Sequence, residues 1–308
     1  MNRYVEEALW RWSGWRHTSL ARRVLATPPV RPRDDGVILF SMIGTRVLLP
    51  YLVAAKSLHH HLERGRFMVM DDGTLTAGDR ATLAHHLGNP RTLALTEIDT
   101  GACPRGGTWE RLLAILDLRA NDYVIQLDSD TVTLGPVPEV AAAIDAAHSF
   151  TLLGDARAEA LGVLPAAQFT AAHRPDLSAP RASGHIQTLI EAALPRMDLP
   201  DLKYARGCSG FAGFAPSAGG RALATAFSAE AERLIGRGKW REWGSEQVTS
   251  NMVIANERDA LLLPYARYTN YWNQPLAPSV AFAHFIGTYR FHGGAYGRAT
   301  RDAIRALG

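Results

Sequence analysis

Cysteine is scarce in this sequence: Cys103 and Cys208 are the only two in 308 residues. Two thiols with no Cys-x-x-Cys pair make neither a disulfide framework nor a cysteine zinc cluster, so a reducing, cytoplasmic setting is expected. Lysine is nearly missing too, at Lys56, Lys203 and Lys239 only, and arginine carries almost all the positive charge. Such a skew resembles coding bias, and arginine abundance alone is therefore no evidence for phosphate binding. The longest apolar stretch, Val37 to Ala55, is broken by Arg46 and Pro50, which argues against a membrane span there. The first residues also lack the short apolar run of a signal peptide. A net charge of +3 from basic residues spread along the chain excludes nucleic acid as the main partner. What is present is 47% hydrophobic residues, enough for a sizeable core, and one compact unit is expected.

Residues 1–35 read as a separate helical arm and linker. Trp10, Trp12 and Trp15 stand among Arg3, Arg11, Arg16, Arg22 and Arg23, and Pro28, Pro29 and Pro32 follow. This composition suits a terminal helix packed on the main domain or a basic helix at the inner face of a membrane, which leaves peripheral membrane contact open. From Val37 onward, within 36–308, short β-rich runs alternate with helical ones. Strands are expected at Val37–Ile43, Phe67–Met70, Thr92–Leu95, Tyr123–Leu127 and Phe150–Leu153, and helices at Val47–Leu62, from a Thr76–Asp79 capping box to Gly88, and at Trp109–Leu118. The alternation implies an α/β fold with a mainly parallel sheet flanked by helices, its ligands beyond the carboxyl ends of the strands. Residues 154–206 interrupt it with a variable, irregular segment, expected to be where acceptor binding is customised. Gly210–Phe214, Ala218–Leu234, Glu246–Ala255, Leu261–Leu263 and Val280–Phe285 complete the set.

The sharpest chemical signal is Tyr123-Val124-Ile125-Gln126-Leu127-Asp128-Ser129-Asp130, an apolar strand ending in two carboxylates. If extended, positions i and i+2 point the same way, and two hard oxygen ligands converge on one Mg²⁺ or Mn²⁺. Such an ion neutralises a diphosphate leaving group. Two aspartates after a strand are also common turn and N-cap residues.

With the Asp71-Asp72-Gly73 turn and the segments downstream, this motif resembles nucleotide-sugar glycosyltransferases of the GT-A fold, most closely family 8, over residues 37–153 and 204–292. The resemblance rests on Trp109-Glu110-Arg111-Leu112, Cys208-Ser209-Gly210, Gly244-Ser245-Glu246-Gln247 with Asn251, and His284-Phe285-Ile286-Gly287-Thr288-Tyr289-Arg290. It implies that Asp128, Asp130 and His284 hold the metal, a nitrogen ligand favouring Mn²⁺ over Mg²⁺. It implies Glu246 and Gln247 beside the anomeric carbon, with Arg111 reaching the donor's sugar and phosphate. Asp72, with Asp71 the weaker choice, would accept the uracil imide N–H, and Ser129, Ser209, Gly210, Gly287 and Arg290 would make the other donor contacts. The expected reaction moves a hexose from a UDP-sugar to an acceptor, a glycan, lipid-linked glycan or small molecule, with retention.

The sequence departs from the family at Cys208, where asparagine is usual, at Arg290, Phe291 and His292 in place of Lys, Pro and Trp, and at the end of the first strand, where Ser41, Met42 and Ile43 bring no acidic residue. His284 could equally be a core histidine and Arg111 a helix surface charge. His59, His60 and His61 are expected to be solvated or capping, and His85 and His86 to serve as cations at a helix C-terminus. Trp240, Trp243 and Trp272 are core aromatics or an acceptor platform. The rival functions are a sugar-phosphate nucleotidyltransferase, echoed by Gly44-Thr45-Arg46, and a non-catalytic carbohydrate-binding protein of the same fold.

Overall fold

The computed structural model describes residues 3–175 and 184–308. In chain order the elements begin with α1 (Arg3–Ala21), β1 (Val37–Ile43), α2 (Leu48–Leu62), β2 (Arg66–Asp71), α3 (Ala77–Leu87) and β3 (Arg91–Ala94). Then come α4 (Trp109–Leu118), β4 (Tyr123–Leu127), β5 (Thr131–Thr133), α5 (Pro138–Asp145) and β6 (Phe150–Leu153). The next group is α6 (Ala156–Leu161), β7 (Leu164–Pro165), α7 (Ala166–His173), α8 (Ile186–Ala193), β8 (Lys203–Tyr204) and β9 (Gly207–Phe214). The chain ends with α9 (Ala222–Ile235), α10 (Arg237–Trp240), α11 (Ser245–Ala255), β10 (Leu261–Leu262), β11 (Tyr268–Asn270), β12 (Phe282–His284) and α12 (Ala295–Ala306). The result is a mixed α/β fold with a mainly parallel central sheet flanked by helices.

Two compact units divide the chain: Met1–Leu93, Leu127–Ala141 and Ala266–Gly308 make one, and Ala94–Gln126 with Ala142–Tyr265 the other. In the first, β1 and β2 pair in parallel from Ile38 opposite Arg66 to Ile43 opposite Asp71. Their residues are almost wholly buried, as a run such as Val-Ile-Leu-Phe demands of a parallel strand covered on both faces. The predicted capping box is present, Thr76 Oγ1 accepting from Asp79 N–H and the Asp79 carboxylate accepting from Thr76 N–H. A second sheet of order β11-β12-β5 carries residues of the functional site. The arm belongs to this unit, α1 packing on α12 and α2.

Among the histidines of this unit, two expectations are corrected. His59 is buried, not solvated, and tilts against Phe67 with ring centroids 5.6 Å apart. His86 is no dipole cation: burial and the neighbouring Lys56 push it down to about 4, so it is neutral beside the Lys56 ammonium that pins the Thr27 and Pro28 carbonyls.

In the second unit the strand order is β10-β6-β9-β4, with β9 antiparallel to β6. Residues 154–206 are more regular than expected: they fold into α6, α7, α8 and the β7–β8 pair, while 176–183 lie outside the described residues. Trp240 is a core aromatic whose indole N–H donates to Ser228 Oγ at 2.8 Å, whereas Trp243 and Trp272 are exposed. Both cysteines are buried, and neither is in a disulfide.

Candidate functional site

The first cluster begins where the chain leaves β4. The buried Ser41 hydroxyl donates to the Leu127 carbonyl at 2.7 Å, and the backbone then turns at Ser129 and Asp130 instead of running on. The turn closes through Thr131 Oγ1 donating to the Asp128 carbonyl at 2.8 Å. The two carboxylates are thus brought together by a turn, which corrects the expectation of an extended strand. β12 completes the arrangement: His284 stands opposite Thr131 in antiparallel register, and Phe285 N–H donates to the Asp130 carbonyl at 2.8 Å.

His284 Nε2 lies 3.3 Å from Asp130 Oδ1 and 3.9 Å from Asp128 Oδ2. One potential ligand atom from each of these residues lies within 4.8 Å of the others. Asn270, the partner of His284 in the β11–β12 register, accepts from Nδ1 at 2.9 Å through its side-chain oxygen. An amide oxygen only accepts, so the proton sits on Nδ1 and Nε2 is directed to the carboxylates. Arg290 pairs with Asp130 Oδ2 and donates from Nε to the Phe285 carbonyl at 3.0 Å. Burial by itself would raise Asp130, but the positive charge of His284, when Nε2 also carries a proton, and that of Arg290 outweigh it and hold the carboxyl down at about 2. Two carboxylates and an imidazole oriented by an outer amide fit a divalent metal ion. His284 is buried and hydrogen-bonded through Nδ1, with Nε2 facing both carboxylates. Asn270, which orients it, was missed in the sequence reading; its place in a three-residue strand has no sequence signal beyond its polar neighbours.

The other candidates of this unit are less uniform. Asp71 is buried and committed to its own turn, accepting from Gly73 N–H at 2.8 Å and Leu75 N–H at 3.2 Å and pairing with Arg80. Asp72 is exposed and accepts from Thr74 N–H at 3.0 Å and its hydroxyl at 2.6 Å. Gly44 lets that turn approach, since a Cβ there would lie 2.2 Å from Asp72 Oδ1. The Ser129 carbonyl accepts from Tyr296 Oη at 3.4 Å. Gly287 is exposed, and a Cβ on it would meet no protein atom within 4 Å, so packing does not demand glycine there.

The second cluster is built by α4, β9 and α11 in the other unit. α11 starts after Gly244, whose φ of +101° suits glycine and whose Cβ would lie 2.8 Å from Ile186. Trp109 Nε1 donates to Ser245 Oγ at 2.8 Å, joining the first turns of α4 and α11. Glu246 is buried, its Oε2 accepting from Thr108 Oγ1 at 2.9 Å and from Ser209 Oγ at 3.2 Å. Arg111 Nη2 lies 3.5 Å from Oε1, and both side chains are about 95% enclosed, with exposures of 5% and 3%. Arg111 is thus not a helix surface charge. Gln247 bridges two segments, accepting from Ser209 N–H at 3.3 Å and donating to Gln187 Oε1 at 3.2 Å. Gly210 lies buried in β9 next to these contacts.

Behind Gln187 stands a charged core. Glu191 is fully buried and accepts from Gln187 Nε2 at 3.0 Å and Tyr204 Oη at 3.2 Å, with Arg206 and His173 on its other oxygen. This brings residues 154–206 to Gln247 by an unbroken chain of hydrogen bonds. Nothing in the sequence pattern identified Glu191 or Gln187.

The three-dimensional fold is similar to that of solved glycosyltransferases, although no family model and no curated protein matches the sequence. It superposes on WbbM, a bifunctional glycosyltransferase, with TM-score 0.50 and 15% identity, covering 91% of this chain and 51% of that one, so it spans about half of WbbM. It superposes on the galactosyltransferase LgtC in complex with donor and acceptor sugar analogues with TM-score 0.50 and 12% identity, covering 87% of this chain and 95% of LgtC. An active-site mutant of LgtC gives TM-score 0.51 at 14% identity, with the same coverage of 87% and 95%. At these identities the likeness is one of fold.

Proposed function

We propose that this protein is a metal-dependent glycosyltransferase that moves a hexose from a UDP-sugar to an acceptor hydroxyl with retention of the anomeric configuration. The observation that carries this reading is the convergence of Asp128, Asp130 and His284 Nε2 on a glycosyltransferase fold. A divalent cation held by these three residues would neutralise the charge that builds on the departing diphosphate. Asp128 and Asp130 supply the hard oxygen ligands, and Asn270 keeps Nε2 of His284 available. Arg290 is assigned to the phosphates, which its guanidinium can grip with paired hydrogen bonds. Asp72 is assigned to the base, Ser129 and Gly287 to the diphosphate, and Ser209 and Gly210 to the sugar.

Glu246 and Gln247 are assigned to the sugar's anomeric end. The Glu246 carboxylate is already engaged by Thr108, Ser209 and Arg111, an arrangement suited to stabilising positive charge in place. A mobile base that takes the acceptor's proton would need a freer carboxylate. Front-face attack with the leaving phosphate accepting that proton asks for no such base. The acceptor is a glycan, a lipid-linked glycan or a small molecule.

The test combines calorimetric titration of a panel of nucleotide sugars, with Mn²⁺ and in excess EDTA, with detection of products and proton NMR of the new linkage. Metal-dependent UDP-sugar binding and an α-linked product from an α-linked donor support the proposal. A β linkage sinks retention, release of nucleoside triphosphate from a sugar nucleotide and pyrophosphate would mark a nucleotidyltransferase, and binding without turnover a carbohydrate-binding protein.

A further inference from the structure

The helical arm carries a second surface, separate from both polar clusters. One side of α1 is spent on anchoring. His17 stacks on Tyr296 with centroids 3.7 Å apart, and its Nε2 is 2.9 Å from Thr300 Oγ1. Gly14 lies 3.5 Å from the Phe291 ring through its would-be Cβ, and Ala21 and Val24 are fully buried. The opposite side is unlike an ordinary solvated helix face. Trp12 and Trp15 are 53% and 68% exposed, and Trp10, edge-on to Phe291, is still 48% exposed. Arg11, Arg16, Ser19, Arg22 and Arg23 are exposed with them, and the Arg16 guanidinium sits over the Trp12 ring at 4.6 Å from its centroid.

Spacing places these residues together. Trp12, Trp15, Arg16, Ser19, Arg22 and Arg23 follow the i, i+3, i+4, i+7 pattern over about 16 Å of helix and the short 3₁₀ turn after it. Charge is one-sided as well: residues 8–33 hold six arginines and no Asp or Glu. We infer that this face lies on a lipid bilayer bearing anionic headgroups, the indoles resting at the headgroup boundary and the arginines pairing with the headgroups.

The chemistry selects this occupant. Exposed indoles cost free energy in water and gain at an interface that is apolar below and wet above, and arginines keep their guanidinium in the headgroup layer while their stems lie along the apolar side. Among the described residues of the arm, Leu25, 37% exposed, is the aliphatic side chain that stands exposed beside the indoles, so the contact is shallow and depends on charge. A second copy of the chain would set arginine against arginine. Among the described residues no helix is long and apolar enough to cross a membrane, so any attachment made by the described helices is peripheral. The inference does not depend on the transfer reaction.

Flotation of the purified full chain with vesicles tests it. Vesicles of phosphatidylcholine with phosphatidylglycerol should carry the protein upward at low salt, and vesicles of phosphatidylcholine alone should not. Raising the salt should release it, since exposed charges are then screened. Trp12→Ser with Trp15→Ser, and separately Arg16→Glu with Arg23→Glu, should each weaken co-flotation on the order of tenfold or more. All four side chains are exposed, so circular dichroism and the unfolding midpoint should be unchanged and a loss of binding cannot be ascribed to misfolding. Failure to float with anionic vesicles, binding insensitive to both double variants, or capture of RNA without capture of vesicles would each overturn the inference.

Discussion

The two polar clusters use the same side-chain chemistry to opposite ends. In the first, Asp128 keeps 28% of its side chain exposed, Asp130 comes from the same turn and His284 from β12, so two carboxylates gather beside the Arg290 guanidinium and the cluster has negative charge to offer a cation. In the second, Glu246 is closed in by an arginine and two hydroxyls, and its charge is balanced within the protein. A cation must enter and leave, whereas charge that develops during a reaction is best met by groups fixed beforehand. Negative residues in a sequence therefore do not all signal a metal: Asp130 and Glu246 each pair with an arginine, and what separates them is the second carboxylate and the imidazole that the fold brings to Asp130.

This contrast can be broken first at Asp130. Asp130→Ala should lower turnover by on the order of 10²-fold or more, together with metal-dependent nucleotide binding, as measured by steady-state assay and titration calorimetry. Full activity would remove the first cluster from the reaction. Asn270→Ala leaves all three ligands in place but frees the His284 ring, and metal affinity should fall about 10- to 100-fold, with Asn270→Asp retaining more of it than alanine. Glu246→Gln should lower kcat about tenfold while leaving metal affinity unchanged; if metal affinity falls instead, the two clusters are not functionally distinct.

A pH titration sharpens the contrast from the side of stability. His17 is held down at about 4 by burial and by Arg290, below its value of 6.5 in the unfolded chain. A histidine lowered in the folded state contributes stability that is intact above pH 6.5 and is lost as pH falls toward 4, because the unfolded chain takes up the proton first. Between pH 6.5 and 5 the arm should lose roughly 1–2 kcal/mol of docking stability, visible as earlier proteolysis of residues before β1. His17→Phe should flatten that dependence. The smallest effect is expected at Gln187→Ala, which removes one hydrogen bond to Gln247: kcat should fall severalfold, about 1 kcal/mol, with KM for the donor little changed.

Much of the fold was legible because its signals are local. The run from Tyr123 to Leu127 is apolar without interruption and became a strand buried at every position. Thr76 and Asp79 stand three residues apart and formed the expected cap. The segment 154–206 was not legible as helices, since its stability lies in contacts such as Glu191 with Arg206 and Tyr204, whose partners are 13 to 15 positions away and give no periodic pattern.

The site divides in the same way. The sequence by itself determined that Asp128 and Asp130 follow a buried strand and that His284 has a glycine and an arginine at fixed offsets, because composition and short spacing are properties of the chain alone. That a turn at Ser129 converges the carboxylates, that β12 carries His284 to them, that Asn270 sets its tautomer and that Arg111 is buried against Glu246 were decided by the tertiary structure. Each depends on backbone register between strands or helices far apart in sequence, and register is set by packing of the whole sheet, which no window of residues contains.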